Sequence, residues 1–366
     1  MWFYLVFALL GGVQAVEPII ACYYNLSPPA NEVDPTLCTH YLLISYTTIT
    51  GNGMFDPPSV EEARNFSIIK ERNPKAKLML CVTASNPHWS MMVSTPLKMQ
   101  NFADASAQYM KQHGFDGIDL DWEFPTWSSD AKKSDRNLLT ILLKTLRFTY
   151  GDRFLLTMAT SGPPTITRKA YDVSSFNKYC DFINVMNYDF HVFSWTNPVV
   201  GFNAPLKPMS REYSIIGEMN SMSSLASYST LGLWSNKTVF GIPVYNLGFR
   251  LVNYYWNWPY APAEGEVNTF TSYPSTCNIT KETHANGIVY REYWNNAAAS
   301  PYIVGNDKVW LTTENPRSTA AKAQFAKDSD CAGIMLFQIS TDDNRGICGE
   351  GKNPLIKAAK KAFLGK

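Results

Sequence analysis

Short apolar runs punctuate the chain, and most are followed by a longer stretch whose apolar residues return every three or four positions. The runs at 19–24, 41–46, 77–82, 154–158, 182–186, 239–245 and 333–337 hold few polar residues over five to seven positions. That length and continuity fit strands buried on both faces, as in a parallel sheet. The stretches 60–72, 135–150, 211–224 and 318–327 have helical spacing; in 135–150, Leu138, Leu139, Leu142, Leu143 and Leu146 fall on one side. Ser94-Thr95-Pro96 caps a further helix reaching about residue 112, with proline at a tolerated first-turn position. A short helix is expected at 354–363.

An eighth run differs from the rest. It reads Asp116-Gly117-Ile118-Asp119-Leu120-Asp121-Trp122-Glu123 and stops at Phe124-Pro125. Asp119, Asp121 and Glu123 occupy every second position, so a strand places their carboxyls on one face and Ile118, Leu120 and Trp122 on the other. Like charges repel, and desolvation penalises each one. The motif contains no basic residue to offset them, so a purely structural polar network is a poor explanation. Chemistry is the better one.

Eight strands with interleaved helices predict an α/β fold, a closed (β/α)8 TIM barrel. An open doubly wound sheet is the alternative, and the lack of a glycine-rich loop after strand one weakens it. Strand seven and its following helix are separated by roughly 60 residues, 250–308, which is long for a structureless loop. A small α+β insertion subdomain is expected there, between barrel segments 16–249 and 309–366. Its Tyr254, Tyr255, Trp256, Trp258 and Tyr260 read first as the packed centre of that subdomain, and second as a sugar-stacking wall. Trp127 divides evenly between packing and platform.

Charge changes little. Lys and Arg number 32 and Asp and Glu 31, so no nucleic-acid partner is expected. Residues 1–15 combine an apolar core with a small-x-small ending, Val13-Gln14-Ala15. They read as a signal peptide, and the run is shorter than the ~20 residues of a membrane span. The mature protein is expected to be secreted, free of membrane and monomeric. Sequons at Asn25, Asn65, Asn236 and Asn278 fit glycosylation on that route. Seven cysteines leave at least one unpaired. Cys81, Cys180 and Cys331 lie in or beside apolar runs, as buried thiols do. Cys22, Cys38, Cys277 and Cys348 lie nearer loops, where an oxidising compartment permits bridges. No Cys/His cluster predicts a metal, and no cofactor is expected.

The pattern Asp116-Gly-x-Asp119-x-Asp121-x-Glu123 on the fourth strand resembles the signature of family-18 glycoside hydrolases, the chitinases and chitinase-like lectins. Cys22-Tyr23-Tyr24, Leu37-Cys38-Thr39-His40, Met186-Asn187-Tyr188-Asp189, Gly241-Ile242-Pro243-Val244-Tyr245 and Gly333-Ile334-Met335-Leu336-Phe337 resemble other strands of that family. The resemblance implies Cys22–Cys38 and Cys277–Cys348 disulfides. It implies Glu123 as general acid, then base, with the substrate's own acetamido oxygen attacking the anomeric carbon. Asp121 would hold the acetamido N–H, and its charge is expected to raise the Glu123 pKa. Asp119 would back Asp121, and Tyr188 would bond the acetamido carbonyl. Tyr24, Tyr46, Met186, Asp189, Trp195, Tyr245 and Phe337 would contact sugar. The partner implied is chitin or an N-acetylglucosamine oligosaccharide. The expected function is hydrolysis of its β-1,4 links; a lectin with little turnover is the alternative.

Several positions depart from the family's pattern. Strand three reads Cys81-Val82-Thr83-Ala84-Ser85 where a glycine pair is usual. Phe337 replaces a tryptophan floor, Leu247 an arginine, and the loop Asn25 to Asn31 lacks an aromatic. Every departure falls at the cleft, and none touches the acid triplet.

Overall fold

The computed structural model describes residues 17–210, 212–282 and 284–365; the expected signal peptide lies outside them. Eight parallel strands close into a barrel: β1 (Ile19–Tyr24), β2 (His40–Ile49), β3 (Lys77–Thr83), β4 (Gly117–Asp121), β5 (Leu155–Ser161), β6 (Phe182–Met186), β7 (Thr238–Pro243) and, last in the chain, Gly333–Phe337. Closure comes from β1, which pairs with β2 on one side and with Gly333–Phe337 on the other. Gly117 of the acidic motif lets β4 lie close to β5: a Cβ there would sit 2.4 Å from the Leu155 carbonyl.

Alternation along the strands divides the interior into two layers. Ile20, Cys22, Tyr24, Leu43, Leu80, Val82, Ile118, Leu120 and Trp122 face the surrounding helices. Ala21, Tyr23, Leu42, Ile44, Met79, Cys81, Ala159, Met186 and Met335 fill the lumen. Helices Val60–Arg72, Pro96–His113 and Asp135–Tyr150 follow the predicted periodicity. The Ser59 and Thr95 side chains cap the first two. The single helix expected at 211–224 is instead two, Ser214–Gly217 and Ser221–Thr230, because Asn220 between them caps the second one. Short helices Asn86–Met92, Pro164–Ala170 and Val173–Tyr179 carry too few turns to show a period in the sequence.

The insertion is a five-stranded antiparallel sheet of β8 (Leu247–Leu251), β9 (Ala263–Glu266), β10 (Tyr290–Asn295), β11 (Ser300–Gly305) and β12 (Val309–Thr312), in order β9-β8-β12-β11-β10. The eighth barrel strand, Gly333–Phe337, is β13. Phe249, Leu251, Val304 and Trp310 centre one side of that sheet. Of the aromatic run, only Tyr254 packs there. Tyr255, Trp256 and Trp258 are 80%, 46% and 55% exposed, against the expectation of a packed centre. Their loop turns outward, because its backbone is committed to bonds such as Tyr260 N to Val200 O. Trp127 is exposed beneath the Lys169 ammonium.

Disulfides join Cys22 to Cys38 and Cys277 to Cys348, while Cys81, Cys180 and Cys331 are free. Asn65 and Asn236 are exposed; Asn25 and Asn278 are half-buried. Among the described residues, no helix is long and apolar enough to cross a membrane.

Candidate active site

Asp119 is the deepest of the three acids and is fully buried. Its Oδ2 accepts from the Tyr23 hydroxyl (2.7 Å), and its Oδ1 from Thr157 (2.6 Å) and Asn184 (3.1 Å). Burial raises its pKa, and these bonds, Thr157 first, pull it back. Asp121 is one rung higher. Its Oδ1 is sealed from solvent without a hydrogen-bond partner among the described residues. Burial pushes its pKa well above the carboxylate range, and the charges of Glu123 and Asp119 push further. Glu123 is exposed at the mouth, although the walls around it still exclude enough water to raise its pKa. Asp189 raises it further.

The cause of the raised Glu123 pKa differs from the expected one: Asp121 interacts closely with Glu123, and its influence there is downward. Asp189, across the cleft, supplies the opposing charge. Among the described residues, no lysine or arginine forms a salt bridge to the three acids. Burial and like charges therefore set the chemistry of the site.

Above the acids lies a cavity of about 450 Å³, within the range of small-molecule sites. Tyr23, Asp121, Glu123, Ala159, Ser161, Met186, Tyr188, Asp189, Tyr245, Leu247 and Phe337 line it, with apolar Phe124, Ile166 and Val192. Phe337 is its aromatic hub, with ring centroids 5.5 Å from Tyr23, 5.8 Å from Tyr188 and 6.0 Å from Tyr245. The Tyr245 hydroxyl donates to Asp189 Oδ1 at 2.6 Å. Asp189 has positive φ (55°), and its N–H is held by Asn203 Oδ1 at 2.7 Å. Among the described residues, the Tyr188 hydroxyl finds only the Met335 sulfur, at 3.8 Å.

The cavity thus unites seven expected residues: Asp121, Glu123, Tyr188, Met186, Asp189, Tyr245 and Phe337, with Asp119 directly beneath. It excludes three. Tyr24 faces the helices, packs 6.1 Å from Phe66 and donates to the Pro28 carbonyl. Its neighbour Tyr23 has the lumen parity. Tyr46 donates to the Asn25 carbonyl at 3.1 Å, since the register irregularity between Leu43 and Thr47 carries it away from the cavity. Trp195 is 78% exposed beside Phe193 and lies outside the cavity wall. Tyr23, Thr157, Asn184 and Ser161 were missed. Both faces of β1 are buried, so its parity did not single out Tyr23, and no signal existed for the rest.

The barrel, the acid ladder and the aromatic cavity define a glycosidase-type site. Residues 19–342 match the family model for glycosyl hydrolases family 18, and the chain belongs to that family. Mouse chitotriosidase-1 is 28% identical over 352 residues, spanning 90% of this chain and 73% of that protein. Human chitinase-3-like protein 2 is 27% identical over 390 residues, spanning 98% and 95%. Pig oviduct-specific glycoprotein is 28% identical across 89% of this chain, which spans only 63% of that protein's length. The Ostrinia furnacalis Group IV chitinase in complex with allosamidin superposes with TM-score 0.87 at 29% identity, covering 95% of this chain and 99% of that one. Human YKL-39, a pseudo-chitinase with retained chitooligosaccharide binding, superposes with TM-score 0.85 at 25% identity, covering 95% and 100%.

Proposed function

We propose that this protein is a secreted hydrolase of β-1,4-linked N-acetylglucosamine oligomers, acting by substrate-assisted retaining hydrolysis. The observation behind this reading is the Asp121–Glu123 pair, two neighbouring carboxyls with pKa values raised by burial, both lining an aromatic cavity. An acetamido N–H arriving at Asp121 donates to its oxygen and stabilises its ionised form. The proton that burial keeps on Asp121 then passes to Glu123, which protonates the leaving glycosidic oxygen. The acetamido carbonyl, bonded by the Tyr188 hydroxyl, attacks the anomeric carbon as that bond breaks. Ionised Glu123 then takes a proton from water as the water opens the cyclic intermediate. Asp121 stabilises the intermediate's positive charge throughout.

A second reading is a glycan-binding protein with little turnover. It draws support from Tyr24, Tyr46 and Trp195 standing outside the cavity, and from Phe337 and Leu247 in its wall. Turnover of a chromogenic N-acetylchitooligosaccharide separates the two. The hydrolase reading expects activity that Glu123→Gln lowers by about 10²–10⁴-fold, with oligosaccharide binding retained. No turnover by the native protein, alongside measurable binding, leaves the lectin.

A further inference from the structure

Glu123 lies beyond the sheet. The last residue of β4 in the ladder is Asp121, paired with Thr83 and Ala159, so neither Trp122 nor Glu123 is held by a strand neighbour. Their anchorage comes from the short helix Asn86–Met92, which follows β3. Trp89 of this helix stacks on Trp122 with centroids 5.2 Å apart and rings 6° from parallel, both fully buried. One turn earlier, Asn86 Oδ1 accepts the Trp122 indole N–H at 2.8 Å. Its Nδ2 donates to the Glu123 carbonyl at 3.0 Å and to Asp130 Oδ1 at 2.9 Å.

The chemistry fixes the orientation of this amide. An indole nitrogen only donates and a backbone carbonyl only accepts, so a flipped amide would set donor against donor and acceptor against acceptor. Asn86 is buried, and both its N–H groups and its carbonyl are used. The other group near the Glu123 carbonyl is the Ser128 hydroxyl, at a long 3.4 Å.

We propose that Asn86 is a positioning residue for Glu123, gripping the Trp122 indole and the Glu123 backbone carbonyl together so that the carboxyl stands over the cavity. This rests on Glu123 being the reacting acid. Asn86 itself does not line the cavity. Its effect therefore falls on the rate of the chemical step rather than on sugar binding.

Two substitutions dissect the clamp. Asn86→Asp keeps an acceptor for Trp122 but loses both donors, and it sets a carboxylate against the Glu123 carbonyl and Asp130. Asn86→Ala loses everything. Each is expected to lower kcat by about 10–100-fold, as misplacing a reacting group by about 1 Å does, with KM changed by less than about 3-fold. Asp130→Ala leaves the contacts of Asn86 to Trp122 and Glu123 and is expected to keep kcat. A folded Asn86→Asp protein with native kcat overturns the proposal, as does a loss confined to KM. If the native protein turns over no substrate, the hydrolase reading falls on its own, and crystal structures decide the clamp. A Glu123 carboxyl unmoved in Asn86→Asp sinks it; a displaced one supports it.

Discussion

Asp121 carries a sealed, unpaired oxygen between two other acids. Its charged form is therefore disfavoured in the folded protein. Below about pH 4, where an unfolded aspartate is protonated, this has no effect on stability. As pH rises above that value, the unfolded chain releases the proton while the folded one retains it, so stability falls with increasing pH. Asp121→Asn removes the imbalance. The expected outcome is a higher Tm than native at pH 7, with the two curves converging near pH 3–4. A lower Tm for Asp121→Asn at pH 7 would contradict the burial argument. Asp119 differs: three side-chain donors reach its oxygens, so its substitution would strand Tyr23, Thr157 and Asn184. The same residue type on one strand thus gives opposite stability effects, decided by the partners its oxygens find.

At the level of the strand, β4 was legible because its acids and apolar residues differ sharply and alternate strictly. On β1 the alternation was hidden. Cys22, Tyr23 and Tyr24 are all buried, one layer on each side of the sheet, and hydrophobicity alone cannot assign the faces of a strand buried on both. Counting by twos from Ala21 reaches Tyr23, but nothing in the sequence says which parity faces the lumen. Loop positions were less legible still, since Trp195 and Tyr46 are placed by the course of irregular backbone. The supports of Asp119 come from β1, β5 and β6, whose neighbours are set by barrel closure alone. The parity makes a prediction. Tyr23→Phe removes a donor from Asp119 while keeping the ring beside Phe337, and is expected to reduce kcat while destabilising by about 1–3 kcal/mol. Tyr24→Phe removes only the bond to the Pro28 carbonyl and should leave kcat unchanged. Steady-state kinetics and thermal melts on the pair test this, and equal kcat losses would refute the assignment of faces.

Over the whole molecule, the insertion sheet must be held against the barrel, because Leu247 at its first strand forms part of the cavity wall. Two devices tie it down. The Cys277–Cys348 disulfide joins residues 71 apart, linking the insertion to the segment after β13. The second is a buried ion pair. Lys322, on the barrel helix Pro316–Asp328, donates to Glu314 just past β12 and, at 2.8 Å, to the Ser300 hydroxyl on β11. The side chains of Lys322 and Glu314 are 1% and 3% exposed. Burial pushes the Lys322 pKa down and that of Glu314 up, while each partner's charge opposes the shift. Desolvation thus outweighs attraction in both groups, so the pair adds little net stability while remaining sensitive to loss of one member. Lys322→Met leaves a carboxylate buried without its cation and is expected to destabilise by about 3–5 kcal/mol in denaturant unfolding. Adding Glu314→Leu should restore most of that loss, because an apolar pair of similar volume needs no desolvation. If the double variant is no more stable than Lys322→Met, the joint depends on the pair's attraction rather than on avoiding an unpaired charge. A variant that regains stability but shows a raised KM would tie the firmness of this joint to the cavity wall at Leu247.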